Sequence, residues 1–333
     1  MSNIVVEIKS LIIDKDVKND SVAQNLIKEQ NILVPKNYQR FIHEFMKPES
    51  TNKKAVVLYQ AGTGKTITSL LPLLEYNNIY SVISRKNYNR SLYKLSYSGI
   101  IFIIGFTEAA FKRELLSRSE FGFVNDEELD RYAVVLAGAT KGIEADIREK
   151  NALKATFNER ITNFLTGGVF RFMGYKKLVN TVFKGIKAKD LIGLTEDQIS
   201  QYINEGKIVL NNSFLDIINN ESIFVFDEIH NTYNQEDNNN WGFIILFIIR
   251  KYKQARYLFL TATPMIASPV EIVSLLRFIH PDKELYHNDF FKDKKLIKSA
   301  ENKIKELSKG YFAFLSDVDP KVYPSYKMNG TLI

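Results

Sequence analysis

Two adjacent carboxylates close a short run of apolar residues in the middle of the chain. Asp227 and Glu228 directly follow Ile223–Phe226, and His230 comes soon after them. An apolar run rich in β-branched and aromatic residues is typical of a buried parallel strand, and ligands bind at the carboxyl ends of such strands. Carboxylates at that place favour metal and water chemistry, although an isolated pair also fits a core strand that ends in a solvated turn.

A glycine-rich segment near the start of the chain has the pattern of a phosphate-binding loop. Between the apolar run 55–59 and a helix predicted over 67–75 lie Gly62, Thr63, Gly64, Lys65 and Thr66. Glycines let backbone N–H groups turn toward phosphates, and the start of the helix adds partial positive charge. In that arrangement Lys65 reaches the β- and γ-phosphates and Thr66 ligates Mg²⁺. The complete pattern has a glycine where this chain has Tyr59, so the loop alone is only suggestive.

Gln39 lies in a predicted amphipathic helix upstream of this loop. Pro35 begins the helix, and one apolar face is formed at helical spacing by Tyr38, Phe41, Ile42 and Phe45. Gln39 falls outside that stripe. It is therefore either a solvent-facing side chain or an amide whose donor and acceptor pair with the edge of an adenine.

Hydroxyl side chains follow two further apolar runs. Thr107 comes after the run 98–106, and Thr261 and Thr263 close the run 257–265. Thr107 either contacts a sugar–phosphate backbone at the edge that carries the phosphate loop or caps the helix that follows it. Strands that alternate with helices predict parallel strands joined by right-handed crossovers. The fold expected is therefore α/β, a doubly wound parallel sheet with its chemical groups at one edge.

Most of the excess positive charge lies between residues 140 and 190. Eleven Lys and Arg residues stand against five acidic residues there, a local net charge of +6 compared with +7 for the whole chain. The stretch falls inside a largely helical insertion predicted over about residues 120–220. A charge run usually forms a solvated surface, but this one adjoins the predicted ligand edge and favours contact with nucleic acid. The candidate contacts are Thr107, Tyr175 at a predicted strand tip, Lys176 and Lys177.

Composition excludes several classes of protein. The chain has 333 residues, 45% of them hydrophobic and 25% charged, with four histidines and no cysteine. The lack of cysteine excludes a disulfide framework and a thiolate metal site, and the scattered histidines have no spacing typical of zinc. No apolar stretch of about 18 residues occurs, so we expect no membrane span, and charged residues near the start interrupt any secretory signal.

Several of these segments stand in a known order. Segments 62–66, Asp227–His230 and Thr261–Pro264 have the order and spacing of motifs I, II and III of superfamily 2 helicases and translocases, which the chain resembles. Tyr38–Gln39 resembles the adenine-reading glutamine element of the same superfamily. Its phosphate loop tolerates other residues at the position of Tyr59.

A closer resemblance rests on further segments spread from about Pro35 to the end of the chain. These are Ile103–Thr107, Arg113–Leu116, Glu120–Phe123, Gly174–Lys177, Asp227–Asn234, Asn239–Gly242 and Ser268–Glu271. They resemble the helicases of large nucleocytoplasmic DNA viruses, in the group that contains the small subunit of poxvirus early transcription factor and its asfarvirus and giant-virus counterparts.

The resemblance implies that ATP and Mg²⁺ bind across the strand ends. Gln39 would read the adenine, while Lys65 and the loop amides would hold the phosphates. Thr66 and Asp227 would hold Mg²⁺, and Glu228 would orient or deprotonate the attacking water. The residues expected to couple nucleotide state to domain movement are His230, Thr261 and Thr263.

The resemblance also implies a RecA-like domain of the P-loop NTPase class. Residues 1–30 would be an N-terminal extension, and residues 31–333 a first lobe that holds the insertion and ends in the start of an inter-lobe linker, about residues 310–333. Motifs IV to VI, with the arginine finger of the second lobe, have no counterpart in the chain. We therefore expect very slow ATP hydrolysis from this lobe alone, because an arginine finger contributes about 10³–10⁵ in rate.

The function that the resemblance implies is that of an ATP-dependent DNA or RNA helicase or translocase in viral early transcription initiation. The expected partners are DNA or RNA, a second RecA-like lobe in the full-length protein or in trans, a larger transcription-factor subunit and the viral RNA polymerase, with no membrane. The expected location is the viral factory in the host cytoplasm, and the virion. Two alternatives stay open, a nucleotide-gated binding module without motor activity and a translocase of the restriction or repair type.

Overall fold

The described part of the molecule covers most of the chain between residues 33 and 315. A computed structural model describes residues 33, 35–60, 62–75, 99–118, 121, 123–136, 143–162, 168–233, 241–265 and 268–315. The expected N-terminal extension, residues 1–30, lies outside these residues.

A six-stranded sheet forms the centre of the protein. Its strands are β1 (Lys54–Leu58), β2 (Ile101–Ile104), β3 (Phe170–Met173), β4 (Ile223–Asp227), β5 (Arg256–Thr261) and β6 (Phe312–Phe314). The order across the sheet is β6-β1-β5-β4-β2-β3, and every neighbouring pair is parallel. This arrangement confirms the expected α/β, doubly wound parallel sheet.

Helices cover both faces of the sheet. They are α1 (Asn37–Met46), α2 (Lys65–Glu75), α3 (Glu108–Leu116), α4 (Asp126–Leu136), α5 (Ile143–Thr162), α6 (Tyr175–Val182), α7 (Glu196–Asn204), α8 (Asn212–Leu215), α9 (Trp241–Lys251), α10 (Ile272–Ile279) and α11 (Ala300–Ser308). Helices α1, α2, α3 and α5 share a core with one face, and α6 to α10 share a core with the other. Within the described residues, none of these helices is long and apolar enough to cross a membrane.

Alternate residues of each central strand belong to opposite cores, because side chains of a strand point to its two faces in turn. Phe102, Phe224 and Tyr257 lie side by side on one face, with ring centroids 4.5 and 5.5 Å apart along the row. Ile103 and Val225 belong to the core on the other face. All five side chains are buried, which fixes the register of the strands.

Two short strands, β3 and β6, form the two edges of the sheet. Strand β3 is the short strand predicted before Tyr175 inside the largely helical insertion, and it pairs with β2 along its whole length. Strand β6 comes from the segment expected to begin a linker, and it pairs with β1. A strand of three residues, such as β6, carries too little periodicity to be recognised in a sequence. Both segments therefore contribute edge strands to the central sheet.

Helix α1 forms as predicted, but its buried face differs from the predicted apolar stripe. Ile42 and Met46 are fully buried, whereas Phe41 is 55% exposed. The helix packs against α2 with the side that carries Ile42 and Met46. Phe41 lies outside this contact and stacks on Phe45, with 5.6 Å between ring centroids.

Gly99 marks a close approach of two chain segments just before β2. A Cβ atom at this position would lie 2.1 Å from the carbonyl oxygen of Glu221. Because the obstacle is backbone, it cannot rotate away as a long side chain would. Gly174 offers a contrast, since its Cβ atom would meet only a carbonyl oxygen of Gly105 at 3.8 Å, an ordinary contact.

We expect Gly99→Ala to destabilise the fold because it forces β2 away from the turn before β4. Overpacking of this kind costs about 1–3 kcal/mol of unfolding free energy. The measurement is the midpoint of denaturant unfolding, with Gly174→Ala as the matched control. Equal midpoints for the wild type and Gly99→Ala would contradict the close approach.

Candidate active site

Four strand ends assemble the candidate active site at one edge of the sheet. The register aligns Ile104 with Phe226 and Leu58 with Thr261, so β1, β2, β4 and β5 end at nearly the same level. The residues that follow these ends include the phosphate-binding segment, Thr107 and Glu228. The parallel sheet thus gathers the predicted chemical groups, although they are distant in sequence.

The glycine-rich segment forms a tight turn between β1 and α2. Gly62 and Gly64 have φ angles of +80° and +81°, which side chains rarely adopt. The hydroxyl of Thr63 donates to the carbonyl of Gln60 at 2.7 Å, and the hydroxyl of Tyr38 donates to the carbonyl of Thr63 at 2.8 Å. Lys65 begins α2, so the turn leads directly into a helix N-terminus. This geometry has the elements of an anion-binding turn.

Lys65 and Glu228 form an ion pair across the candidate site. The Nζ atom of Lys65 lies 2.7 Å from Oε1 of Glu228, and the lysine side chain is largely buried. The other carboxylate oxygen of Glu228, Oε2, is buried and has no hydrogen-bond partner within the described part of the chain. The pair joins the phosphate-binding segment to the end of β4. It leaves one oxygen of the Glu228 carboxylate able to accept a further hydrogen bond.

Asp227 is a buried carboxylate held by several neighbours. Its side chain accepts a hydrogen bond from the hydroxyl of Thr107, and its backbone carbonyl accepts one from the hydroxyl of Tyr175 at 2.8 Å. Burial raises the pKa of the Asp227 carboxyl, with a smaller contribution from the negative charge of Glu228. The Thr107 hydrogen bond and the positive charge of Lys65 act in the opposite direction and lower that pKa.

His230 belongs to a hydrogen-bonded chain that reaches β5. Its Nδ1 atom lies 2.7 Å from the hydroxyl oxygen of Thr261, which also accepts from the backbone N–H of Thr263 at 3.1 Å. Burial lowers the pKa of His230, which favours the neutral ring. With one acceptor role filled by Thr263, the Thr261 hydroxyl can donate to a neutral Nδ1. The Oε2 atom of Glu228 lies 3.4 Å from the same Nδ1 atom, beyond a good hydrogen bond.

Gln39 is buried against the phosphate-binding segment, so its interpretation as a solvent-facing side chain is wrong. Its side-chain carbonyl accepts from the backbone N–H of Lys36 at 2.9 Å and completes the first turn of α1. Its amide nitrogen lies close to Gly64, because a Cβ atom built on Gly64 would be 2.9 Å from that nitrogen. The pairing of Gln39 with adenine stays a prediction.

The predicted nucleic-acid contacts divide into three kinds. Lys176 and Lys177 are exposed at the start of α6. Thr107 is half-buried and uses its hydroxyl on Asp227, so it neither caps α3 through its side chain nor leaves that hydroxyl unpaired. A direct contact through Tyr175 is wrong, because its side chain is fully buried under neighbouring rings and its hydroxyl holds Asp227.

The roles that Gly105 and Tyr175 have beside Asp227 were not predicted from the sequence. Gly105 lets β2 end close beside β4, because a Cβ atom on it would come within 2.9 Å of the carbonyl of Asp227. Tyr175, at the start of α6 after β3, supports Asp227 through its hydroxyl, although β2 lies between β3 and β4 in the sheet. A glycine at the end of an apolar run is a signal for close backbone approach, whereas nothing in the sequence shows the direction of the Tyr175 hydroxyl.

The residues present fit a magnesium ion that takes most of its ligands from elsewhere. Among the described residues no group of three or more His, Asp and Glu side chains could hold a metal by itself. Asp227 and Thr66 offer one carboxylate and one hydroxyl at the same edge. Mg²⁺ is commonly held by one or two carboxylates together with water and substrate phosphates.

Comparison with known proteins gives relatives from one virus. No family model matches the chain. Over 338 residues, the chain is 28% identical to the early transcription factor large subunit homolog of the Pretoriuskop tick isolate of African swine fever virus, and 27% identical to that of the Kenyan pig isolate KEN-50. Each alignment covers 89% of this chain, and the chain spans only 29% of the length of either relative.

These relatives support the expected relationship to viral early transcription factors. Their name specifies the large subunit, whereas the resemblance seen in the sequence is to the group of the small subunit. Membership of the helicase superfamily stays a prediction.

We expect Thr107→Val to raise the pKa of Asp227, because the variant removes a hydrogen bond that favours the ionised carboxylate. The folded pKa already lies above the unfolded value, so this carboxyl lowers stability as the pH rises through the folded pKa. The variant should extend that loss to a higher pH, because the unfolded pKa at which the loss begins does not change.

The measurement is a carboxyl ¹³C NMR titration, in which Asp227→Asn identifies the resonance. Thr107→Ser retains the hydroxyl and serves as the control, so its titration should follow the wild type. Titration of Thr107→Val at the wild-type pH would contradict the assigned hydrogen bond.

Proposed function

We propose that this chain is the ATP-binding lobe of a nucleoside triphosphatase that acts as an ATP-dependent DNA or RNA translocase or helicase in viral early transcription. One contact supports the proposal above all others. The phosphate-loop lysine, Lys65, lies 2.7 Å from Glu228, which follows the buried carboxylate Asp227. The groups needed to bind phosphates, a metal and a water molecule therefore meet at one place.

In this proposal the turn at Gly62 and Gly64 and the start of α2 bind the triphosphate. Backbone N–H groups and the ammonium of Lys65 supply the positive charge, as in other phosphate-binding loops. Gln39 lies against the same turn, which supports a role of its amide in reading the base of a nucleotide. Recognition of ATP through Gln39 rests on the resemblance.

Asp227 and Thr66 would hold Mg²⁺, which supplies charge neutralisation at the phosphates when bound. Burial of Asp227 disfavours its charge, and a cation would favour it again. The hydroxyl of Thr107 and the hydroxyl of Tyr175 keep the Asp227 side chain and backbone in place. The protein therefore presents an oriented carboxylate rather than a mobile one.

Glu228 would orient and deprotonate the attacking water. One of its carboxylate oxygens pairs with the ammonium of Lys65. The other is buried and has no hydrogen-bond partner within the described residues. A buried acceptor without a donor is costly, so this oxygen is suited to bind a water proton. Phosphoryl transfer depends mainly on such positioning and on charge stabilisation.

The chain from His230 through Thr261 to Thr263 would couple the nucleotide site to β5. Its members are joined by hydrogen bonds of 2.7 and 3.1 Å, and His230 lies beside Glu228. A change at Glu228 can therefore reach the segment after β5 through contiguous contacts. A second RecA-like lobe, in the full-length protein or in trans, would respond to that change.

The transcription role follows from the relatives, which bear the name of an early transcription factor subunit. It favours promoter DNA or nascent RNA, a further transcription-factor subunit and the viral RNA polymerase as partners, over a restriction or repair system. The proposed location is the viral factory in the host cytoplasm, with packaging in the virion.

A first test is nucleotide binding by the 333-residue chain, measured by titration with a fluorescent ATP analogue and Mg²⁺. Lys65→Ala should bind at least about tenfold more weakly, because a charge-assisted phosphate contact is lost. Glu228→Gln should bind as well as the wild type or better, because it removes a negative charge from beside the phosphates. Lys253→Ala, at an exposed ion pair with Asp282, is the control, and equal affinity for Lys65→Ala would refute the phosphate role.

A second test is turnover. ATP hydrolysis by this chain should be very slow, since an arginine finger supplies about 10³–10⁵ in rate. In the longest natural polypeptide that contains the chain, hydrolysis should be stimulated by nucleic acid and should be lost in Glu228→Gln. Nucleotide binding with no turnover in that polypeptide would favour the nucleotide-gated binding module, and fast turnover from residues 1–333 alone would contradict the need for a second lobe.

A further inference from the structure

Phe106 is an aromatic side chain that the proposed ATPase chemistry does not use. It is 65% exposed, although it lies between Gly105 and Thr107 at the carboxyl edge of the sheet. Its backbone neighbours are fixed, because Gly105 packs against Asp227 and Thr107 bonds to it. A large apolar side chain that is exposed to solvent on a fixed backbone indicates a binding site.

Two further aromatic rings, those of Tyr175 and Trp241, pack against Phe106. The ring of Tyr175 lies 5.8 Å from that of Phe106 in an edge-to-face arrangement, and the ring of Trp241 lies 6.5 Å from it. Tyr175 and Trp241 stack on each other at 5.8 Å with nearly parallel planes. Tyr175 is fully buried, so one side of the Phe106 ring packs against a fixed ring. The other side of the Phe106 ring is exposed to solvent.

The exposed charge that follows this aromatic cluster in the chain is positive, whereas the neighbouring carboxylate of Asp227 is buried. Lys176 and Lys177 follow Tyr175 directly and are exposed. The nearest acidic residue in sequence to Phe106 is Glu108, which is paired with Lys112 at 2.6 Å. Exposed aromatic rings beside unburied lysines are the arrangement that binds single-stranded nucleic acid, by stacking on bases and by attraction to phosphates.

We propose that Phe106 is a base-stacking residue for single-stranded DNA or RNA, with Lys176 and Lys177 on the adjoining phosphates. This inference rests on the nucleic-acid part of the proposed function and specifies its substrate as unpaired strand. In a duplex the faces of the bases are stacked on one another and unavailable to a side chain.

A protein partner fits this surface less well. Specific protein interfaces bury at least about 1,000 Å² with an apolar centre. Here a single exposed ring stands next to two lysines, and Tyr175 is already covered. The shape and charge therefore match a base and its phosphates better than a folded surface.

The position of Phe106 also connects the bound strand to the candidate active site. The backbone passes from Phe106 to Thr107, whose hydroxyl holds the carboxylate of Asp227. The supporting ring of Tyr175 reaches the backbone carbonyl of the same aspartate at 2.8 Å. A base stacked on Phe106 would thus lie one residue from Thr107 and above the buried ring of Tyr175, the two residues that hold Asp227.

Trp241 makes the test direct, because it is the only tryptophan in the chain. Tryptophan fluorescence therefore reports on this cluster alone. The probes are a fluorescein-labelled (dT)₁₂ oligonucleotide, the same strand with abasic sites, and a duplex of equal length. Affinity is measured by anisotropy and location by quenching of Trp241.

The wild-type chain should prefer the (dT)₁₂ strand to the abasic strand and the duplex, with quenching of Trp241. Phe106→Ala should bind (dT)₁₂ about 5- to 100-fold more weakly, since stacking contributes in that range for each base. It should lose the preference over the abasic strand and keep the salt dependence. Lys176→Ala and Lys177→Ala should each lower the slope of affinity against salt by about 0.7.

Phe314→Ala is the matched control, because Phe314 is 70% exposed on the edge strand β6, four strands from β2 in the sheet. Phe106→Leu, which keeps an apolar side chain without a flat ring, should behave like Phe106→Ala. Unchanged (dT)₁₂ affinity in Phe106→Ala, equal binding of the abasic strand by the wild type, or tighter binding of the duplex would each overturn the inference. Binding of the ATP analogue by the same preparations separates such a result from failure of the proposed nucleotide site.

Discussion

Burial of the Asp227 carboxylate is the constraint on which the edge of the sheet depends. An ionised carboxylate removed from water is costly, and the adjacent negative charge of Glu228 adds to the cost. The hydroxyl of Thr107, the backbone N–H of Glu228 and the charge of Lys65 offset part of it. His230 adds little positive charge, because burial lowers its pKa. Two carboxylates thus share one ammonium group, and the remaining negative charge suits a divalent cation.

The backbone at Glu228 shows how the chain meets this constraint. Glu228 has φ 50° and ψ 53°, a left-handed conformation that costs a residue other than glycine about 1–2 kcal/mol. The turn compensates with hydrogen bonds, since its N–H bonds to Asp227 and its carbonyl accepts from the backbone and side chain of Asn231 at 3.1 and 2.9 Å. Replacement of Glu228 by glycine would relieve the backbone strain but remove the carboxylate that pairs with Lys65. The backbone conformation therefore favours glycine at this position, whereas the ion pair requires glutamate.

Local patterns in the sequence predict the fold class and the sheet edge that carries the candidate site. Several contacts of the site depend instead on how distant segments pack in the folded protein. Apolar runs ending in Asp227, Thr107 and Thr261 identify strands, and parallel pairing places their ends together. Lys65 and Glu228 are 163 positions apart, and nothing in either local pattern shows that they form a pair. The burial of Gln39 depends on how α1 docks, a property set by α2 and the phosphate-binding segment rather than by the stripe on α1.

The ion pair of Lys65 and Glu228 also constrains where a phosphate and a water molecule would lie. An ammonium group has three donors, so Nζ can bond to Glu228 and to a phosphate oxygen together. Two hydrogen bonds of ordinary length at one nitrogen separate their acceptors by about 4.5–5.5 Å. A single water molecule spans the same separation between two oxygen atoms. The 2.7 Å contact would therefore do more than neutralise the charge of Glu228, because it would keep the carboxylate one water molecule away from a phosphate bound to Lys65.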